Sequence, residues 1–178
     1  MAIDDNEIYE VFAVDPNRGF RMLMTAYGKP IYAYVRRLVV RHDDAEDVCQ
    51  EIFIRVFRNW KKFKRESALS TWIYKIATRE AVRFLHKQAE KGRLEASSAE
   101  EVQRLEAPEY VDYDDVLAVK FQRAIQTLTE KQRLVFNLRY YDELEYAEIS
   151  RILECPENTL KVHYHHAKEK IKEYIIKN

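Results

Sequence analysis

Apolar residues recur every three or four positions through most of the chain, which is the spacing of one face of an α-helix. Residues 20–40 follow this spacing, and Pro30 fits either the start of a helix or a kink. After Asp43 and Asp44, which suit the positive end of a helix, a second inward stripe is formed by Ala45, Val48, Ile52, Val56 and Trp60. The pattern therefore predicts successive amphipathic helices.

The third stripe follows a loop of residues 61–69. Ser70 is a suitable N-cap for a helix running to about Gln88. Its inward positions are expected to be Ile73, Ile76, Ala77 and Leu85.

The second half of the chain repeats the helical pattern over shorter lengths. An amphipathic helix carries Phe121, Ala124, Ile125 and Leu128. Thr129 and Gln132 form a capping box that opens a helix through Tyr140. Two further helices, 146–153 and from about 157, flank a short turn, and the second has an apolar stripe made of Leu160, Tyr164, Ala167, Ile171 and Ile175. Two short helices around a tight turn predict a helix-turn-helix.

Composition narrows the fold class to all-α. The 178 residues include only 3 glycines and 4 prolines, too few for the glycine-rich loops that hold phosphates in nucleotide-binding folds. The acidic first residues do not form a secretory signal, and no apolar window is long enough to span a membrane. Cys49 and Cys155 lack metal or CxxC spacing, so we expect two buried, reduced thiols in a cytoplasmic protein without a cofactor.

Charge is sorted by segment although the formal net charge is zero. Residues 1–60 have a net charge of −2, residues 61–93 of +7, residues 94–113 of −5, and residues 114–178 of zero. The acidic stretch contains Ser97, Ser98 and Pro108 and little periodic apolar content, so it is expected to be a flexible linker. The predicted organisation is a helical domain at 1–93, a linker at 94–113 and a second helical domain at 114–178.

Two charged helix faces in the first domain are candidate binding surfaces. Asp44, Asp47 and Glu51 fall on one outer face beside Gln50, a pattern that suits a basic protein surface but also an ordinary solvated face. The next helix carries a basic ridge formed by Lys75, Arg79, Arg83 and Lys87. Cations at this spacing can follow a phosphate backbone, and Phe63, Trp72 and Tyr74 provide rings for stacking unpaired bases. Trp72 could equally belong to the core.

The last helix has a second face suited to nucleic acid. Lys161, His165, Lys168 and Lys172 lie opposite the apolar stripe, and His163 and His166 flank them. An exposed face of hydrogen-bond donors is what a helix entering the major groove requires. A metal site is not indicated, because no thiol or carboxylate completes a ligand set near the histidines. An enzyme is not indicated either, because no nucleophile or base converges with the carboxylates.

In combination these segments resemble the extracytoplasmic-function (ECF) sigma factors of bacterial RNA polymerase, within the sigma-70 family. Residues 43–53 look like the polymerase-binding segment of that family, and residues 67–77 like its promoter-melting and −10-reading segment. Residues 128–133 with 146–168 look like its −35-reading domain. The resemblance covers most of the chain in family order. It implies a region 2 bundle and a region 4 helix-turn-helix joined by the linker, with no catalytic activity.

The resemblance also implies partners and residue roles. The partners would be core RNA polymerase, at its clamp and flap regions, promoter DNA, and an inhibitory anti-sigma factor that covers the Asp47 and Lys161 faces. The polymerase-binding residues would be Asp44, Asp47, Gln50, Glu51 and Phe53. The −10 DNA-binding residues would be Phe63, Lys64, Arg65, Glu66, Ser67, Thr71, Trp72, Lys75, Arg79 and Arg83. The −35 DNA-binding residues would be Asn158, Thr159, Lys161, His163, His165, His166 and Lys168.

Three positions depart from the family pattern. Many relatives have glycine where Asn158 stands and arginine where His166 and Lys168 stand. Arginine offers guanine a bidentate fork that lysine and histidine lack, so we do not expect the usual −35 sequence to be read here. The alternative function is an autonomous helix-turn-helix regulator that binds duplex DNA without polymerase. Such a regulator would not need the acidic face or the Trp72 segment.

Overall fold

Residues 4–95 and 116–177 are described by a computed structural model, and all their regular structure is helical, as predicted. The eight α-helices are α1 Asp5–Val14, α2 Pro16–Val39, α3 His42–Asn59, α4 Leu69–Glu95, α5 Val116–Gln126, α6 Glu130–Phe136, α7 Tyr146–Leu153 and α8 Glu157–Lys177. A 3₁₀ turn at Trp60–Lys62 follows α3, and a π-helical segment at Asn137–Tyr141 continues α6.

Helix α1 was not expected from the sequence. Asp4 caps it by accepting a hydrogen bond from the Asn6 amide, and it buries Ile8, Tyr9 and Phe12. Asp15 then caps α2 by accepting from two backbone amides at 3.1 and 3.0 Å. Asp15 is the single residue between α1 and α2, and the two helices pack against each other.

Three predicted helix boundaries are corrected. Pro30 lies inside α2, which continues through it to Val39, so it does not start a helix. Asp43 and Asp44 lie in the first turn of α3, but the N-cap position is Arg41, which makes no side-chain capping bond. Ser70 is likewise inside α4, which starts at Leu69 and runs on to Glu95, beyond the expected end near Gln88.

The N-terminal domain, α1–α4, has a core built from the predicted stripes. Ala45, Val48, Ile52 and Val56 are buried, whereas Trp60 is only partly buried. On α4, Ile73 and Ala77 are buried, and Ile76 and Leu85 pack at the edge. The Tyr34 and Thr78 hydroxyls hydrogen-bond at 2.8 Å and satisfy the polar groups between α2 and α4.

The C-terminal domain, α5–α8, contains the predicted helix-turn-helix. The Thr129–Gln132 capping box is present. Helices α5, α6 and α8 share a core of Ala124, Ile125, Leu128, Phe136, Ala167 and Ile171. Helix α7 ends at Leu153, and its C-cap is Glu154, whose left-handed φ of 52° turns the chain into α8.

The two domains pack against each other, mainly through α4 and α7. Leu134, Val135, Leu138, Ile149, Ile152 and Leu160 of the C-terminal domain belong to the same buried apolar cluster as the N-terminal core. Residues 96–113 of the predicted linker lie outside the described residues.

The two cysteines differ in exposure. Cys49 is buried as expected, but Cys155 is only partly buried because it lies in the turn before α8. Among the described helices, none combines the length and apolar character needed to cross a bilayer.

Candidate nucleic-acid and protein interfaces

The acidic face of α3 is exposed as predicted, and part of it is engaged within the chain. Asp47 and Gln50 are exposed. Glu51 pairs with Arg55 at 3.0 Å, and Arg55 continues to Glu80 on α4 at 3.1 Å. This chain of charges fixes the side-chain orientation of Glu51 while leaving about half of it exposed, at 47%. A basic partner surface would therefore meet an ordered carboxylate.

Two residues assigned to binding by the family resemblance lie in the core instead. Phe53 is only 5% exposed. It follows Cys49 by one helical turn, and both flank the buried stripe of α3, so Phe53 packs inward. Thr71 is 4% exposed, on the side of α4 that faces the domain core. Neither side chain offers a contact surface in this structure.

An aromatic cluster supports the loop of residues 63–68. Phe63 and Trp72 contact each other with centroids 4.9 Å apart, and both are partly buried. Trp60 stacks on Phe12 of α1 at 3.8 Å, and Phe63 stacks on Tyr9 at 5.7 Å. Trp72 therefore belongs partly to the core, and base stacking on its remaining exposed surface stays a prediction.

The loop itself is presented to solvent by this cluster. Lys64, Arg65 and Glu66 are exposed, and Ser67 is partly exposed. Arg65 has a left-handed φ of 58°, which an arginine adopts only when its surroundings hold it. Its guanidinium lies over the Tyr9 ring, with Cζ 4.0 Å from the centroid. The participation of Tyr9 was missed in the sequence, although Ile8, Tyr9 and Phe12 after Asp4 are a capped amphipathic turn that could have indicated it.

The basic ridge on α4 forms as predicted, but three of its cations are already paired with carboxylates. Lys75 Nζ donates to Glu154 Oε1 at 2.7 Å, and Arg79 Nη2 donates to Glu154 Oε2 at 2.9 Å. These bonds lower the pKa of Glu154 below its usual value. Arg83 pairs with Glu80 of its own helix at 2.8 Å.

The predicted DNA-reading face of α8 is mostly exposed. The exposed members are Asn158, Thr159, Lys161, His165, His166 and Lys168. His163 is partly buried and lines a cleft of about 830 Å³ between α8 and α4. Lys161 and Lys168 approach the rings of Tyr146 and Tyr164 at 5.6 and 5.1 Å, contacts that orient the cationic side chains.

A carboxylate from the C-terminal domain is buried against the N-terminal domain. Asp142 accepts from Arg37 Nη2 at 2.6 Å and from the Tyr74 hydroxyl at 3.0 Å, and its side chain is 10% exposed. Burial raises the pKa of Asp142, and the Arg37 guanidinium and the Tyr74 hydroxyl oppose that rise. The same carboxylate and burial raise the pKa of Tyr74.

Family models match both domains of the chain. The model described as Sigma-70 region 2 matches residues 23–91, and that described as Sigma-70, region 4 matches residues 118–171. The chain belongs to the sigma-70 family, as an ECF-type member. The two models coincide with the α4 ridge and with the helix-turn-helix. Both models begin after α1, so Tyr9 and Phe12 lie outside the matched residues.

Curated relatives cover nearly the whole chain. The RNA polymerase sigma-H factor of Pseudomonas aeruginosa is 28% identical, over 94% of this chain and 91% of the relative. The ECF RNA polymerase sigma-E factor of Escherichia coli K12 is 29% identical, over 95% of this chain and 93% of the relative.

Solved structures share the fold. The structure of CnrH in complex with the cytosolic domain of CnrY has a TM-score of 0.72 at 16% identity and covers 98% of both chains. The sigma factor RpoE of Bartonella quintana, in complex with the anti-sigma factor NepR, has a TM-score of 0.67 at 22% identity. That match covers 88% of this chain and 96% of RpoE.

Proposed function

We propose that this protein is a dissociable sigma subunit that binds core RNA polymerase, recognises −35 and −10 promoter elements and assists strand opening. The observation that carries the proposal is the pairing of two nucleic-acid surfaces, on α4 and on α8, within the two sigma-70 segments. Each surface alone would bind weakly. Joined in one chain they engage two DNA elements with a high effective concentration.

Polymerase binding is assigned to the exposed face of α3. Asp47, Gln50 and Glu51 present carboxylate and amide oxygens to a basic surface, the clamp region in the family. Asp44, whose side chain is 23% exposed, lies at the edge of that face and pairs with Arg41 at 3.9 Å. Phe53 supports the face from below by packing in the core.

The flap region of polymerase is the second expected contact. An apolar groove of about 360 Å³ runs along α8 and includes Phe136, Tyr140 and Ile175. Tyr140 is 49% exposed, so about half of its side chain is available for contact. This groove suits an apolar segment of the flap.

The −10 element is assigned to the loop of residues 63–68 and to the α4 ridge. Exposed loop cations would attract the strand, and the partly exposed Phe63 and Trp72 rings offer stacking surfaces for an unpaired base. Lys75, Arg79 and Arg83 would then follow the backbone of the melted strand. Binding of the separated strand to the loop and to the α4 ridge would stabilise the melted promoter.

The −35 element is assigned to α8. Asn158 and Thr159 lie in its first turn, where a recognition helix reaches base edges, and Lys161, His165, His166 and Lys168 follow on the exposed side. His163 would join them once the cleft that it lines is open.

The lack of catalytic activity, the cellular location and the inhibitory partner are assigned from the same proposed function. The protein directs a catalytic partner and is not itself an enzyme, and it acts in the cytoplasm, where transcription occurs. The two solved structures that share the fold are complexes, one of CnrH with the cytosolic domain of CnrY and one of RpoE with the anti-sigma factor NepR. An anti-sigma partner that covers the Asp47 and Lys161 faces is therefore part of the proposal.

The test is run-off transcription from a library of random promoters, with core polymerase in the presence and absence of the protein. Protein-dependent transcripts sharing a two-part upstream motif are expected. The double variant Asp47→Lys/Glu51→Lys should lose core binding and transcription. The control Glu10→Lys reverses an exposed charge on α1 and should retain both. Duplex binding without core, together with no core-dependent transcripts, would instead establish the autonomous helix-turn-helix regulator.

A further inference from the structure

Three carboxylates of the C-terminal domain bind donors of the N-terminal domain. Glu154 accepts hydrogen bonds from Lys75 and Arg79, and Asp142 accepts hydrogen bonds from Arg37 and Tyr74. The third carboxylate, Glu130, contacts His86 Nε2 at 2.7 Å. Every one of these contacts joins a carboxylate from one domain to donors from the other.

The donors that Glu154 occupies are the ones assigned above to the DNA backbone. Carboxylate and phosphate oxygens compete for the same N–H donors in the same geometry. At 2.7 and 2.9 Å each Glu154 oxygen occupies one N–H donor of its cation and places a negative charge where a phosphate would approach. Glu154 is also the turn residue of the helix-turn-helix, so it brings the start of α8 close to α4.

We propose that Glu154 replaces promoter phosphates on Lys75 and Arg79 while Asp142 aligns the two domains, so that the free protein masks its own DNA surfaces. This inference rests on the proposed function. In this closed form, in which the two domains are packed together, Glu154 occupies Lys75 and Arg79. Thr159 and His163 of α8 face the cleft beside α4. The domains must separate before both elements of a promoter can be read.

The two carboxylates make different contributions to the closed form. Glu154 is 60% exposed, so water and salt screen its pairs and they exchange readily with DNA. Asp142 is 10% exposed and Arg37 13%, so their pair forms only when the domains meet in one register. Apolar contacts around Ile152 and Leu160 hold the surfaces together, and Asp142 fixes their alignment.

The experiment compares two double variants with equal net charge. Asp142→Asn/Glu154→Gln removes the aligning and the masking carboxylate and keeps the side-chain shapes. Glu143→Gln/Glu157→Gln removes two exposed carboxylates that lie one residue after Asp142 and three residues after Glu154 and are not part of these contacts. Any general gain in DNA affinity from lost negative charge appears in both.

Domain separation is measured by energy transfer between dyes on Val14→Cys and Ile176→Cys, in a Cys155→Ser background. Both labelled positions are exposed, at 88% and 73%. DNA binding without core is measured with a fluorescein-labelled forked duplex carrying the motif recovered from the run-off library. The masking variant should show lower energy transfer and a roughly 5- to 20-fold gain in affinity over the control variant, since apparent affinity scales with the fraction of open protein.

Adding core polymerase should bring all variants to the same low energy transfer and equal transcription. Equal energy transfer and equal DNA affinity in the two double variants would overturn the proposal, even with normal transcription. Loss of transcription by the unmodified protein would instead contradict the proposed function. If Asp142→Asn impairs folding by circular dichroism, Glu154→Gln is compared with Glu157→Gln in the same two assays.

Discussion

Replacement of glycine by alanine is expected to have opposite effects on stability at different glycines of this chain. Gly19 lies in α2 against α1, where an added Cβ would meet the Phe12 Cα and ring atoms at 2.6–2.7 Å. Gly28 has only the flexible tip of Met24 near, at 3.8 Å, and Gly92 has nothing within 4 Å. All three positions are helical, so backbone propensity favours alanine at each.

The magnitudes follow from these distances. Replacing a helix-interior glycine by alanine stabilises by about 1 kcal/mol. At Gly19 the clash includes a backbone atom, which cannot rotate away, and overpacking of this kind costs about 1–3 kcal/mol. We expect Gly19→Ala to destabilise the fold by up to about 2 kcal/mol once the propensity gain of about 1 kcal/mol is subtracted. Gly28→Ala should stabilise by about 0.5–1 kcal/mol, and Gly92→Ala by less because helix ends fray.

Urea unfolding of the three variants checks these signs through the midpoint at constant slope. Tryptophan fluorescence provides a local readout, because Trp60 stacks on Phe12 at 3.8 Å and should respond when α1 is displaced. Gly19→Ala should therefore shift the folded-state emission, whereas Gly28→Ala should leave it unchanged. A Gly19→Ala protein as stable as Gly28→Ala, with native emission, would refute the close packing of α1 on α2.

Further predictions concern a thiol, a helix cap and the loop support. Burial raises the pKa of Cys49 to about 12, so at pH 8 only about one molecule in ten thousand carries its thiolate. Iodoacetamide should label Cys155 first in timed mass spectrometry, and equal rates would contradict the buried placement. Thr129→Ala should cost about 1 kcal/mol in urea unfolding by removing the α6 cap, while Thr129→Ser should cost less. Tyr9→Leu should reduce open-complex formation about 2- to 5-fold by removing the cation–π contact with Arg65, as measured with permanganate footprinting. Tyr9→Phe, which keeps the ring, should behave as the unmodified protein, and equal loss in both variants would exclude the ring contact.

The sequence pattern predicted those features that depend on residues close together in the chain. The stripes of α3 and α8 and the Thr129 capping box depend on residues three or four positions apart, and the structure contains them. Helix α1 has a weaker sequence signal because it is only ten residues long and lies in an acidic segment. Its sequence signal is the cap residue Asp4 followed by the inward-facing Tyr9 and Phe12.

The assignments of Phe53 and Thr71 to binding have a different origin. Both rest on the transfer of a family role to every residue of a matching segment, and both side chains are buried in this structure. Periodicity alone would have placed Phe53 inside, because it lies four residues after Cys49 and next to Ile52 on the buried side of α3. Where a family motif and helical phase disagree, the phase decides which side chain faces outward.

Contacts between the domains could not be predicted from either kind of pattern. Arg37 and Asp142 are 105 residues apart in sequence, and Lys75 and Glu154 are 79. Neither carboxylate belongs to a charged stripe, since Asp142 ends a π-helical segment and Glu154 occupies a left-handed turn. The sequence pattern predicts a cationic ridge as a site for polyanions, but it does not say which anion occupies the ridge first. In the closed form that anion is a carboxylate of the same chain, so DNA binding by this protein is a competition between two occupants of one surface.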